Sequence, residues 1–267
     1  MNNIIRTGIG MLGLAVVLTA SSVVFIRAHA STVTVAGSAA SEVRPVTASI
    51  VNVILSGPID LALKQAATPE LLVKGDAKLV SRVTTRLEGN TLYIGTRGIY
   101  ISVGKTEQTK IELSLPNLEK LQTSGSGDAV IKGFKGNKLE VSLQGSGNIN
   151  LDGEYQQVFA SLNGSGDLNL GVGTAELLEL ASYGSGDSIV RGQVKSFNAR
   201  LTGSGDLKAV ALKSAAVNLN STGSSSSKVF ASQEIKLKVT GSGDVYVMGN
   251  PAKRNVERSG SAEVHWE

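Results

Sequence analysis

The fold of this chain is decided by a short stretch that recurs along its second half. Residues 158–170 read VFASLNGSGDLNL, in which a Gly-Ser-Gly-Asp turn joins two apolar runs. Val158 and Leu162 belong to a period-two alternation before the turn, and Leu168 and Leu170 continue it afterwards. Such alternation is typical of a β-strand that buries one face. The stretch therefore predicts two short strands joined at a glycine corner.

The corner returns at an almost constant interval of 18 to 20 residues between first glycines. Weaker copies begin at Gly223 and Gly260, and a distant copy spans residues 56–61. We predict that the residues of the clear copies form structural corners. They are Gly125, Gly127, Asp128, Gly145, Gly147, Asn148, Gly164, Gly166, Asp167, Gly184, Gly186, Asp187, Gly203, Gly205, Asp206, Gly241, Gly243 and Asp244.

A repeat of this length predicts a solenoid. A unit of about twenty residues cannot bury its apolar face alone, whereas stacked copies can. The apolar positions keep one register from copy to copy. We therefore predict an all-β, right-handed parallel β-helix (β-solenoid) with coils of about 19–20 residues, the hand following from the rule for parallel crossovers. A meander of hairpins would place turn signals about every 8–12 residues, roughly half the observed interval.

The corner residue types have a structural interpretation. Glycine tolerates positive φ without a Cβ clash, and an Asp or Asn oxygen can accept hydrogen bonds from turn N–H groups. The serine hydroxyl can bond to a neighbouring coil. Calcium binding by the acidic column is the alternative, but Asn148 and Ser226 interrupt that column. Hydrogen bonding tolerates such interruptions, so we predict no metal and no cofactor.

The N-terminus is typical of an exported protein. Arg6 precedes a long apolar run, and Ala28 and Ala30 form a small-x-small cleavage pattern, which indicates a signal peptide over residues 1–30. An uncleaved membrane anchor is the alternative. Residues 31–42 are small and polar and are predicted to form a tether. A single solenoid domain would then occupy residues 43–267, with regular coils from about residue 121.

Both ends of the predicted domain depart from the repeat. Residues 77–83 could form one or two helical turns, and Gly89-Asn90 is a good turn between two strands. Residues 98–108 are an excursion. We expect the whole front half to form the first, less regular coils of the solenoid. Residues 250–260 bring charges into apolar columns, which suits a terminal coil, and residues 262–267 would form the last strand.

The composition disfavours several classes of function. The formal charge is +4, no run of five to eight residues is rich in Lys and Arg, and cysteine is absent. These features argue against nucleic-acid binding and against disulfides. The histidines are His29, in the predicted signal, and His265 near the C-terminus, so His- or Cys-based catalysis has no residues in the repeat. A carbohydrate-active enzyme stays an alternative because acids are plentiful, although no two are marked as a pair.

The order of the motifs resembles a known family. SGPIDLALKQAATPELLVKGDAKLVSRVTTRLEGNTLYIG is followed by IELSLPNLEKLQTSGSGDAVI and then by the Gly-Ser-Gly-Asp coils. From about Val43 to Val247, the chain resembles the head GIN domain family, which is described as an auto-transporter adhesin and is otherwise of uncharacterised function. The resemblance implies a β-helical protein of the bacterial envelope, and it brings no catalytic residues.

These observations predict a non-catalytic, exported β-solenoid that acts as a binding or adhesion module of the bacterial cell envelope. Its partner would be a glycan or another envelope protein, with membrane contact only through an uncleaved signal segment. We place it in the periplasm or at the cell surface. The alternatives are a carbohydrate-active enzyme on the same scaffold and a structural rod that self-associates through its ends.

Overall fold

The structure is a computed structural model that describes residues 39–98 and 109–267. The predicted signal peptide, residues 31–38 of the predicted tether and residues 99–108 of the predicted excursion lie outside the described residues. In the described part of the chain, no helix has the length and apolar character needed to cross a membrane.

Seventeen strands and one short helix follow one another along the described residues. They are β1 (Ala39–Arg44), β2 (Asn52–Ser56), β3 (Ile59–Gln65), β4 (Glu70–Asp76), α1 (Ala77–Val80), β5 (Val83–Glu88), β6 (Thr91–Thr96), β7 (Thr109–Leu115), β8 (Lys120–Gly125), β9 (Ala129–Gly145), β10 (Ile149–Gly164), β11 (Leu168–Gly184), β12 (Ser188–Gly203), β13 (Leu207–Gly223), β14 (Ser227–Gly241), β15 (Val245–Met248), β16 (Lys253–Gly260) and β17 (Val264–Trp266).

The long strands β9 to β14 stack in parallel, each in register with the next. Each neighbouring pair has at least one register shift along its length, such as the one between Gly171 and Thr174. Successive strands are joined at the predicted corners. The chain therefore forms a β-solenoid of about seven turns, which confirms the predicted fold class.

The core consists of columns of inward side chains that run along the solenoid. One column joins Val141, Ala160, Leu180, Ala199 and Leu219, all buried and in register. Burying one large aliphatic side chain contributes about 1.5–3 kcal/mol, so the columns are the main source of stability. Because cysteine is absent, no disulfide adds to this packing.

The front half does not stack in chain order. β2 lies between β6 and β8, and β3 lies between β7 and β9, with parallel pairing throughout. The coil at residues 52–65 is therefore sandwiched by segments that both come later in the chain. The stacking order of these less regular coils therefore differs from the chain order, because the later strands β6, β7, β8 and β9 pair with both edges of β2 and β3.

Antiparallel strands then close this end of the solenoid. β5 pairs with β6, while β4 pairs with β7 and with β1. The predicted hairpin at Gly89-Asn90 is confirmed by the first of these pairs. Residues 39–42, predicted to belong to the tether, lie instead in β1. A parallel coil left open would expose unpaired backbone groups, and the antiparallel strands cover them.

Two side chains hold this cap together. The Arg44 guanidinium donates to the carbonyl of Val83 at 2.8 Å and to that of Val80 at 3.2 Å. The carboxylate of Asp76 accepts from the N–H of Lys78 at 2.8 Å and so caps the start of α1. The helical turn predicted in residues 77–83 is thus confirmed as α1.

At the C-terminal end of the solenoid, charged residues cover the last coil. In β16, Arg254 and Arg258 stand in register with the buried Ile235 and Val239 of β14. The Arg254 guanidinium lies over the ring of Trp266 at 4.1 Å from its centroid. Charged residues therefore replace two of the three apolar columns of β14 in the last coil, while Val256 continues the column of Leu237. The charges agree with the prediction for a terminal coil and disfavour continued end-to-end stacking.

Candidate functional site

The predicted corners lie one above another along the solenoid. The first glycine of each corner has a positive φ, from +103° at Gly57 to +141° at Gly164. L-residues with a side chain rarely adopt this conformation. The carbonyl of Gly145 accepts hydrogen bonds from the N–H groups of Ser165 (3.0 Å) and Gly166 (3.1 Å) in the next coil. Neighbouring corners are therefore joined backbone to backbone.

The second glycine of the clear corners has a different reason, whereas the two weaker corners have Ser225 and Ala262 at this position. At Gly166 an added Cβ would lie 1.8 Å from the carbonyl oxygen of Gly147, in the coil below. Gly186 meets the carbonyl of Gly166 at the same distance. Close backbone approach, rather than φ, therefore selects glycine at this position. Sequence reasoning found these residues but assigned them only the conformational reason.

The acidic column forms a ladder between coils. The Asp167 carboxylate accepts from the N–H of Asp187 in the next coil at 2.8 Å, and the other rungs have the same form. Their acceptors are Asp60, Asp128, Asn148, Asp187, Asp206 and Asp244. Each side chain thus caps the next corner rather than its own. Asp60 supplies the first rung, so the distant copy at residues 56–61 is part of the stack.

One rung carries an additional cation. The Lys208 ammonium lies 3.0 Å from the second carboxylate oxygen of Asp187. Burial alone would raise the pKa of Asp187, but the N–H of Asp206 and the Lys208 ammonium outweigh it and leave the pKa lowered. Among the described residues, no three His, Cys, Asp or Glu side chains are grouped so that they could hold a metal ion. The column acts as a set of hydrogen-bond acceptors.

An open groove of about 850 Å³ lies on the sheet that precedes the corners. We call it the polar groove, and it is lined by outward residues from β8 to β16. Its floor contains the small side chains of Ser142, Ser161 and Ala181. The two serine hydroxyls bond to each other at 3.0 Å. Sequence reasoning missed this face, because outward residues differ from coil to coil; the alternation itself was the available signal.

The groove carries both paired and unpaired charges. The Glu140 carboxylate contacts the Lys138 ammonium at 2.6 Å and the Lys120 ammonium at 3.8 Å. The hydrogen bond from Lys138 outweighs burial and lowers the pKa of Glu140. Within the described residues, Glu179 and Arg200 have no ion-pair partner. Both are exposed to the groove.

The arrangement suits binding better than acid–base catalysis. Glu140 and Glu179 lie in one column with Phe159 between them. A glycosidase needs one carboxylic acid whose pKa is raised, so that it can protonate the leaving group. The lowered pKa of Glu140 keeps this carboxylate ionised at neutral pH. Tyr183, 41% exposed, adds an aromatic surface at the edge of the groove.

Several solved structures share this fold. A "putative lipid binding protein" from Parabacteroides distasonis is 25% identical, with a TM-score of 0.76 over 86% of this chain and 97% of that one. A "putative adhesin" from Parabacteroides merdae is 18% identical, with a TM-score of 0.73 over 86% and 97%. Another from Parabacteroides distasonis is 19% identical, with a TM-score of 0.76 over 86% and 98%. No curated protein sequence is significantly similar to this chain.

The sequence itself also matches a family, which is described as "Putative auto-transporter adhesin, head GIN domain". The match covers residues 51–251, from the first coil of the stack to the start of the charged last coil. It therefore includes the Asp60 rung, the glycine corners up to the one that begins at Gly241, and most of the polar groove. On this match, which confirms the resemblance noted in the sequence, the chain belongs to the head GIN domain family.

Proposed function

We propose that this protein is a non-catalytic binding module of the bacterial cell envelope and that the polar groove is its binding face. One observation carries the proposal. The groove extends along successive coils and presents amides, hydroxyls, an unpaired arginine and an exposed tyrosine on a rigid sheet. Binding sites of this kind combine a few oriented polar groups with aromatic surface.

A glycan fits this lining better than an apolar ligand. Asn198, Asn218 and Asn220 offer amide donors and acceptors that match sugar hydroxyl groups. The ring of Tyr183 can stack against a sugar face. One similar structure is described as a lipid binding protein, but the polar lining of this groove favours a polar ligand.

The envelope location is supported by two features. The sequence predicts a signal peptide over residues 1–30. The family and two of the similar structures are described as adhesins. Fractionation of cells, with protease applied to intact ones, tests the location. Recovery in the cytoplasm would contradict it, while cleavage in intact cells would place the domain at the surface.

Retention of glycans on the immobilised protein tests the binding face. Ala181→Trp fills the centre of the groove without removing a hydrogen bond, so it should abolish retention of any glycan that the wild type retains. Ile189→Trp, at an exposed position on the sheet that follows the corners, is the matched control and should retain it.

The same assay distinguishes binding from catalysis. A binding module returns the polysaccharide unchanged, whereas an enzyme releases reducing ends or unsaturated products over time. Steady product release that Ala181→Trp abolishes would establish the enzyme instead. Failure to retain any glycan or envelope fraction would refute the proposed function altogether.

A further inference from the structure

One end of the polar groove presents a concentrated set of hydrogen-bond donors. Two adjacent outward columns in β12, β13 and β14 contain only cations and amides, and we call this set the basic patch. Its members are Arg200, Asn220 and Lys238 in one column and Asn198, Asn218 and Lys236 in the other. Neighbouring members of a column are about 4.8 Å apart, the spacing of hydrogen-bonded strands.

Most of these donors are available to a ligand. Among the described residues, the guanidinium of Arg200 and the three asparagine amides have no hydrogen-bond or ion-pair partner. The Lys236 ammonium lies 3.2 Å from Glu234, and that of Lys238 lies 3.8 Å from Glu257. Both lysine side chains are more than half exposed, at 59% and 64%. Exposed pairs of this kind are weak and can exchange partners.

We propose that the basic patch binds the carboxylate groups of a linear acidic polysaccharide that lies along the solenoid axis. This inference rests on the proposed function of the groove as a glycan-binding face. Arg200 provides the planar pair of donors that binds a carboxylate in bidentate fashion. Lys238 stands two strands further along the same column and can contact a second carboxylate about 10 Å away. The amides between them match the hydroxyl groups of the sugar rings.

The surroundings define a short binding segment. Glu179 precedes the patch in the column of Asn198, and Glu257 follows it in the column of Lys238. These carboxylates would repel a continuous row of negative charges. A chain in which single carboxylates are separated by neutral sugar surface fits better than a polyphosphate, which requires many cationic contacts. Tyr183, next to Thr202 in the adjoining column, offers a stacking surface at the start of the segment.

Calorimetric titration of the purified protein with oligogalacturonate tests this inference. A neutral cello-oligosaccharide of the same length and a single-stranded DNA oligonucleotide are the comparison ligands. The variant Arg200→Ala should weaken oligogalacturonate binding about tenfold or more, because it removes the bidentate contact. Arg191→Ala is the matched control, since Arg191 also lies in β12 but bonds to Asn169 at 2.7 Å on the sheet that follows the corners.

Selective binding of oligogalacturonate that is lost in Arg200→Ala and kept in Arg191→Ala supports the inference. Equal binding to both variants refutes the assignment of the basic patch. Binding of the neutral oligosaccharide alone refutes the requirement for carboxylates but leaves the groove as a glycan-binding face. Tighter binding of the DNA oligonucleotide refutes the glycan in favour of a phosphate polymer. Thermal melting of each variant establishes that the fold is intact.

Discussion

The second glycine of a corner offers the most direct test of the stacked fold. An alanine at position 166 would place its Cβ 1.8 Å from the carbonyl oxygen of Gly147. Real Cβ atoms stay at least 3.0 Å from such an atom, so the two corners would have to separate by about 1.2 Å.

Three hydrogen bonds cross this contact. The N–H groups of Ser165 and Gly166 donate to Gly145 at 3.0 and 3.1 Å, and the N–H of Asp167 donates to the Asn148 side chain at 3.0 Å. A rigid separation of about 1.2 Å would break all three. The last corner has Ala262 at the equivalent position and keeps its bonds to Gly241 and Asp244, so local adjustment of the backbone can relieve part of this separation. At about 1 kcal/mol for each bond, Gly166→Ala should lower the free energy of unfolding by up to about 3 kcal/mol.

Urea unfolding followed by circular dichroism measures this change. Gly89→Ala is the matched control, because Gly89 has a φ of +56° and nothing within 4 Å of an added Cβ. That variant carries only the conformational penalty of a left-handed residue, about 1 kcal/mol. If Gly166→Ala destabilises the protein no more than Gly89→Ala does, the corners are not in backbone contact and the reasoning fails.

The ladder, the core and the pH dependence give further predictions. Asp167→Ala should lower the free energy of unfolding in urea by about 1–2 kcal/mol, because the N–H of Asp187 loses its acceptor. Asp167→Asn keeps an acceptor oxygen and should lower it by less than half as much. Equal losses in the two variants would contradict the ladder. Tyr155→Phe should cost about 1 kcal/mol in the same assay, since the buried hydroxyl donates to the carbonyl of Leu118 at 2.9 Å. An unchanged midpoint would show that this bond contributes nothing. The folded pKa of Asp187 is lowered, so its ionised carboxylate contributes to the free energy of unfolding above the unfolded pKa of about 4. This contribution is lost as the pH falls through the folded pKa. Melting curves between pH 7 and about pH 2 should therefore fall more steeply for the wild type than for Lys208→Ala, and parallel curves would exclude this ion pair as a source of acid sensitivity.

Much of the regular half was determined by the sequence alone. The interval between corners, the inward columns such as Val158 with Leu178, and the charges that close the last coil are all readable from one copy to the next. They are readable because each depends on local properties, namely period-two alternation and the glycine at each corner. Even the distant copy containing Asp60 was recognisable from its spacing of glycine and acid.

Other features were decided only by the tertiary structure. β2 and β6 have the same alternation of buried and exposed residues, so their sequences do not specify the order in which they stack. Nor does the sequence of β4 specify that it runs antiparallel to β7. Neighbouring strands pair through their backbone N–H and C=O groups. Because these groups are the same in every strand, the sequence of a strand does not specify its neighbour. The polar groove arises in the same way, since Arg200, Asn220 and Lys238 become members of one surface only when separate coils stack. Side-chain pattern specifies which face of a strand is buried, whereas the order of stacking specifies which exposed residues meet.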